Sequence, residues 1–388
     1  MSQFDEIHNR LNTNSVKWDT LSTTYGKEGL LPFWVADMDF KTSPAISKAL
    51  STYVEKGIYG YVTVPDSLYD AIIHWQKQQH HYSLNKEEIL FSPGVVPSLV
   101  TVINALTNEN DAILIHDPVY HPFTDVIQNT KRKRIVSDLL EEGQLFKMNF
   151  KDMEDKIIQH QVKLMILCNP HNPGGRVWSK EELRQLGELC QKYQVIVLSD
   201  EIHQDIVFEP ARFTSFQTID KNFEDFSIVL TSATKTFNLA GIKNSMLFIK
   251  NQQLRDKVQA IQAVNYQAEI NTFGLIATQA AYTEGKAWLD ELLPYLKNNI
   301  DFTCDFFAKH LPKVRVMKPQ GTYLIWLDFS AYQLNDDALA EKLIQEAGVV
   351  LNAGIMFGPN GTQHCRFNIA CPKKQLVQGL QQIAKVFN

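Results

Sequence analysis

The sequence predicts an α/β protein: a mostly parallel sheet covered on both faces, in a large unit, followed by a smaller α+β unit. Three observations carry this. Short apolar runs (EILF, DAILI, VKLMIL, VIVL, SIVL) recur between about residue 85 and residue 231 with too few polar breaks for strands that face water on one side. Helical patterns separate them, as in VVPSLVTVINAL and the segment opening at Ser179, where Glu182 completes the spacing of a capping box. After about residue 286 the rhythm changes to one long helix and several strands in close succession.

Taken in order, residues 1–40 are irregular and aromatic (Trp18, Tyr25, Phe33, Trp34, Phe40) and read as an arm packing on the smaller unit. A helix then opens with Ser43 as its cap and Pro44 in its first turn. It carries Ile46, Ala49, Leu50, Tyr53 and Val54 as one apolar stripe and stops at Gly57. The parallel-sheet unit is expected over 41–285. The smaller unit, 286–388, holds a helix from Trp288 to about Lys309, the strands VRVM, TYLIWLDF, VVLN and CRFNIA, and a closing helix.

Composition narrows the function. Of 388 residues, 44% are hydrophobic and 21% charged, with a net charge of −5, which argues against a dedicated nucleic-acid surface. Lys131–Arg134 is a basic run best read as a solvated edge strand or loop. The five cysteines form no CxxC and suggest reduced thiols in a cytoplasmic protein. No basic start followed by an apolar run, and no run of about eighteen apolar residues, suggests a leader or a membrane span.

Ligands of open parallel sheets bind beyond the carboxyl ends of the strands. FSPGVVPS, DPVYHPF, CNPHNPGGR, SDEIHQD and TSATK all follow apolar runs and fall at such ends. Asp200 sits at the edge of the core, where a carboxylate is either a helix cap or needs a cationic partner. The amides of Gly94, Val95 and Val96 open a helix and suit a phosphate, though many such turns bind nothing. Tyr120 offers a ring for stacking or for packing, and Asn172 lies in a turn where asparagine is common for local reasons. Arg366, inside an apolar strand, suits a carboxylate. Lys235 is expected on a loop after SIVLTS. A lysine, a partner carboxylate, a phosphate seat, a ring and an arginine together suit pyridoxal 5'-phosphate acting on an amino acid.

The motifs also carry a resemblance. NSVKWD, FWVADMDF, GIYGY, SPGVVPSL, DPVYHPF, NPHNPGGRVW, SDEIHQDIVF, SATKTFNLAGIKNS and CRFNIACP, in this order, resemble the MalY/PatB-type cystathionine β-lyases, or C–S lyases. These belong to the fold-type I pyridoxal-phosphate enzymes of the class I/II aminotransferase superfamily. The resemblance implies that Lys235 holds the cofactor as a Schiff base, Asp200 pairs with its ring nitrogen, Tyr120 stacks on it and Asn172 bonds its phenolic oxygen. It gives the phosphate to the amides of Val95 and Val96, to Ser232 and Lys243, with Thr234 beside them, and to Tyr61 from the second subunit of a homodimer. Arg366 would take the substrate carboxylate, assisted by Asn172 and the backbone of Ala36.

Two positions depart from the common aminotransferase pattern: His203 replaces a tyrosine, and Lys243 replaces an arginine. The implied activity is α,β-elimination of L-cystathionine or cysteine thioethers to pyruvate, ammonia and a thiol. An aminotransferase on the same scaffold uses the same groups. A regulatory protein with secondary catalysis and a decarboxylating or acyl-transferring relative are the further alternatives. Trp34 is a candidate for the distal pocket, or plain packing.

Overall fold

The computed structural model describes residues 2–267 and 270–387. The apolar runs become strands of a seven-stranded sheet: β1 (Ile89–Ser92), β2 (Ala112–Asp117), β3 (Lys133–Asp138), β4 (Leu164–Cys168), β5 (Ile196–Asp200), β6 (Ser227–Thr231) and β7 (Ser245–Phe248). Their order is β1-β7-β6-β5-β4-β2-β3, and only β7 runs against the rest. Strand alternation splits the runs between two cores. Ile113, Ile115, Ile166, Leu198 and Ile228 face one side with Leu99, Val102 and Ile103 of a helix. Leu114, Met165, Leu167 and Val197 face the other with Leu183, Leu186 and Cys190. Burial on both faces is why these strands lack a polar period. β7 escapes the sequence reading because a four-residue strand after the Lys235 turn has no helix to announce it.

The basic run enters β3, the edge strand, whose first residues are exposed. The box at Ser179 forms in full at the start of the helix Lys180–Lys192, with Ser179 Oγ accepting from Glu182 N and Glu182 reaching back. The first long helix, α1 (Pro44–Glu55), ends where Gly57 takes φ 66°. One expectation fails on it and one holds in part. Ser43 stands at the cap position, but its side chain caps nothing. Of the stripe Ile46 is fully buried and Ala49 and Leu50 pack against the core, while Val54 is exposed. Helix α2 (Asp66–His80) follows, and α3 (Val95–Leu106) is the helix after β1.

The later strands form a separate antiparallel sheet: β8 (Arg315–Met317), β9 (Leu324–Asp328), β10 (Asn352–Ala353) and β11 (His364–Asn368), ordered β8-β9-β11-β10. The N-terminal arm docks there. Leu31–Pro32 pairs in parallel with Val349–Val350, and Phe33 meets Phe367 edge-on at 4.9 Å. Beyond that docking, residues 35–39 cross to the carboxyl ends of the large sheet's strands. Asn368 Nδ2 donates to the carbonyls of Val35 and Asp37 at 2.7 Å each.

Candidate active site

Lys235 follows β6 on a short helix, Ala233–Thr236 (α4), rather than the expected loop. Ser232 starts that helix by accepting from Thr234 N with its hydroxyl and anchors it by donating to Asn244 O at 2.6 Å. Thr234 sits against Ser232, its hydroxyl 2.8 Å away. Asn238 ties the following turn to the arm through Met38 O and Phe40 O.

The Lys235 ammonium has no carboxylate within salt-bridge distance among the described residues and instead donates to Ala36 O at 2.6 Å. Burial lowers it to about 8; the charge of Arg366 adds to this, and Asp37 and Asp200 oppose it. Asp200 ends β5, where among the described residues its carboxylate accepts only from Ile202 N, at 3.1 Å. No helix starts there to be capped. Burial raises this carboxyl to about 7 against the pull of Ile202 N–H and Lys235.

Arg366, on β11, is buried and paired with no acid among the described residues. Its Nη1 donates to Asn172 Oδ1 at 3.0 Å, its Nη2 to Trp34 O at 2.8 Å and Asn352 Oδ1 at 2.6 Å, and its Nε has no partner. Phe357 lies 4.9 Å below the guanidinium. Burial brings Arg366 down to about 10. Three neutral acceptors and one ring face around a buried cation leave its charge free for an incoming carboxylate.

Tyr120 lies near both Asp200 and Arg366, its hydroxyl raised chiefly by burial, and its ring braced edge-on by Phe123 at 5.7 Å. His203 is buried with Nδ1 unpartnered, its edge against Tyr323 at 5.9 Å, and burial holds it well below the usual imidazole range. The amides of Val95 and Val96 open α3 behind Gly94, with no side-chain cap over them. Val95 and Val96, Tyr120, Asn172, Asp200 and Lys235 stand at or just after the carboxyl ends of β1, β2, β4, β5 and β6, as the strand-end argument requires, whereas Arg366 comes from within β11 of the antiparallel sheet.

Lys243 and Tyr61 are the two exposed members of the set. Lys243 is exposed with φ 51°, and Tyr61 projects fully into solvent, 108% exposed. Trp34 contributes its carbonyl to Arg366, whereas its indole donates to Lys17 O at 3.0 Å and meets Tyr25 edge-on. Sequence reasoning missed Tyr323, whose hydroxyl joins Lys235 on Ala36 O, and the Arg366 neighbours Asn352 and Phe357. An asparagine right after the apolar run VVL was the one signal available for Asn352.

The family description "Aminotransferase class I and II" matches residues 30–383. Cystathionine beta-lyase PatB of Bacillus subtilis is 40% identical, over 98% of this chain and 98% of its own length. Cystalysin of Treponema denticola, solved with pyridoxal 5'-phosphate, superposes with TM-score 0.96 at 31% identity, covering 100% of this chain and 98% of its own. The PLP-bound C–S lyase of Staphylococcus hominis gives TM-score 0.93 at 32% identity, covering 100% and 98%.

Proposed function

The chain belongs to the class I and II aminotransferase family, in its MalY/PatB-type branch, and from that premise we propose that it is a pyridoxal-phosphate-dependent carbon–sulfur lyase. Its reaction is α,β-elimination of L-cystathionine or a related cysteine thioether to pyruvate, ammonia and a thiol: homocysteine from cystathionine, hydrogen sulfide from cysteine. The full-length likeness to a cystathionine beta-lyase supports the elimination, and the observation that carries the cofactor part of the reading is a set of buried and half-buried charged groups without ionic partners among the described residues. Lys235 is lowered to about 8, Asp200 is raised to about 7, and Arg366 has no acid.

These residues fit the cofactor. A lysine that is neutral in part near pH 8 can attack an aldehyde. Asp200, short of a cation, suits a protonated ring nitrogen. Tyr120 would cover the ring, and Asn172, with His203 nearby, would face its phenolic oxygen. The amides of Val95 and Val96, with Ser232, Thr234 and Lys243, would hold the phosphate. When bound, pyridoxal phosphate supplies an electron sink conjugated to the substrate α-carbon.

The chain's own residues do the rest. Arg366, with Asn172 and the backbone of Ala36, fixes the α-carboxylate and so the direction of the Cα–H bond. Lys235 Nζ takes that proton, for which an amine titrating near 8 is suited. The Cα electron pair closes a Cα=Cβ bond as the Cβ–S bond breaks and the thiolate leaves. The enamine released then hydrolyses to pyruvate and ammonia.

Tyr61 would reach the phosphate of a second copy. A cytoplasmic homodimer is part of this reading, supported by the exposed Ile58, Tyr59, Tyr61, Val264 and Tyr266 and by five cysteines in no disulfide. Purified protein with pyridoxal phosphate and L-cystathionine should yield pyruvate with no 2-oxoacid added. Turnover only in the presence of such an acceptor would replace the lyase with an aminotransferase.

A further inference from the structure

Asp205 closes the SDEIHQD run, five positions after Asp200, and takes no part in the site described above. Its carboxylate is almost wholly buried, at 2% side-chain exposure. One oxygen, Oδ1, accepts from Trp75 Nε1 at 3.0 Å and lies 2.7 Å from His80 Nε2, both on α2. The other, Oδ2, accepts from the Thr236 hydroxyl at 2.7 Å. Thr236 is fully buried and adjoins Lys235 on α4. Trp75 is itself fixed, stacked on Tyr282 at 5.1 Å and edge-on to Phe237 at 5.8 Å.

We propose that Asp205 is a positioning residue for Lys235: clamped by Trp75 and His80 on one oxygen, it holds Thr236 with the other and so sets how Lys235 faces Asp200. Two features favour this over a purely structural role. Asp205 lies on the turn that also carries Asp200 and His203, held by Gln204 N to Glu201 O and Ile206 N to His203 O. Its bond to Thr236 therefore fastens the two halves of the site to each other from behind. And α4 is a single helical turn, too short to hold its own pitch by internal hydrogen bonds. A hydroxyl–carboxylate bond is charge-assisted and directional, which makes it an effective stop against rotation. A displacement of about 1 Å at a reacting group costs on the order of a hundredfold in rate.

The inference rests on Lys235 holding the cofactor, and the test separates the two. Pyridoxal phosphate is added to cofactor-freed full-length protein, the lysine adduct is fixed with borohydride at intervals, and Lys235 is followed by mass spectrometry. The pH midpoint of the cofactor's absorbance and steady-state kinetics are measured alongside. For Thr236→Val, adduct formation and kcat should fall about tenfold, KM should stay within about twofold, and the absorbance midpoint should move by about half a unit. Thr236→Ser should restore all of these to within about twofold. Asp205→Asn should behave like Thr236→Val; if it does not fold, the Thr236 pair decides alone. Thr236→Val with parental adduct rate, kcat and midpoint, whatever its melting temperature, overturns the inference and leaves the lyase reading standing. A parent protein that forms no adduct at Lys235 overturns both.

Discussion

Two groups of buried charges lie at either end of the segment Val35–Asp39, and they are built on opposite principles. At one end Lys17, 1% exposed, meets Asp39, 3% exposed, at 2.9 Å. Arg10 reaches both Asp37 and Asp39 at 2.7 Å, Trp18 donates its indole N–H to Asp39, and Gln375 adds another bond. Burial works against the ionised Asp39, but Lys17, Trp18 and Arg10 outweigh it and lower the carboxyl below its usual range. At the other end Asp200 and Arg366 are equally buried, Lys235 is half-buried, and none of the three has such a partner among the described residues. The first arrangement satisfies itself and binds the arm to the body. The second keeps its charges without a matching protein group among the described residues, as the proposed cofactor and substrate would require. Buried charge alone therefore does not mark a site; buried charge without a matching protein group does.

This contrast can be broken in several ways. The largest effect is expected at Lys235. Lys235→Ala should cut pyruvate formation from cystathionine by at least about 10³-fold and remove the lysine-linked absorbance, while the melting temperature of the cofactor-free protein stays level or rises. Asp39→Ala should do the reverse, stranding Lys17 in the core. We expect a loss of about 3–5 kcal/mol in urea unfolding, with kcat little changed in whatever fraction remains folded. Arg366→Ala strands no acid, so unfolding should be unaffected or slightly harder. Its kcat/KM for cystathionine should fall about a hundredfold, roughly 3 kcal/mol, mostly through KM.

The smallest effect is on the pH dependence of stability, where the two carboxylates have opposite signs. Asp39, lowered in the folded state, stabilises above the ordinary carboxyl value, and that contribution is lost as pH falls through its depressed one. Asp200, raised from 3.8 to about 7, favours folding most below pH 3.8 and loses that contribution as pH rises through about 7. In the cofactor-free protein, Asp200→Asn should therefore unfold at higher urea than the parent at pH 8 and show no advantage at pH 4. The gain has an upper bound of about 4 kcal/mol and is expected nearer 1–2. An equal gain at both pH values would show that Asp200 is not held protonated by burial.

Much of the site was legible because its residues sit next to strands that announce themselves. Asp200 ends VIVLS, Lys235 follows SIVLT, and Arg366 interrupts an apolar strand where a cation needs a reason. The capping box at Ser179 was equally local, two side chains and two amides within one turn. Ser43 shows where that reasoning stops: the residue type and position were right, yet its side chain makes no capping bond. The apolar stripe of α1 likewise gave the helix but not its partner. Val54 is exposed, and Tyr53 is half-buried against Tyr59 and Phe273, at 5.8 and 5.7 Å, instead of entering a core.

The sequence by itself determined the strands, the order in which they alternate with helices, and the residue types at their ends, because apolar period and turn chemistry act over a few neighbouring residues. Only the tertiary structure decided which charges stay unpaired. Asp39 and Asp200 are both single aspartates beside apolar segments, and nothing local separates them. What does is that Lys17 and Arg10 fold back onto the first from some twenty residues or more away, whereas Lys235, brought into the neighbourhood of the second, stays beyond salt-bridge distance and donates to Ala36 O instead. Pairing falls off with distance in space and is blind to distance along the chain.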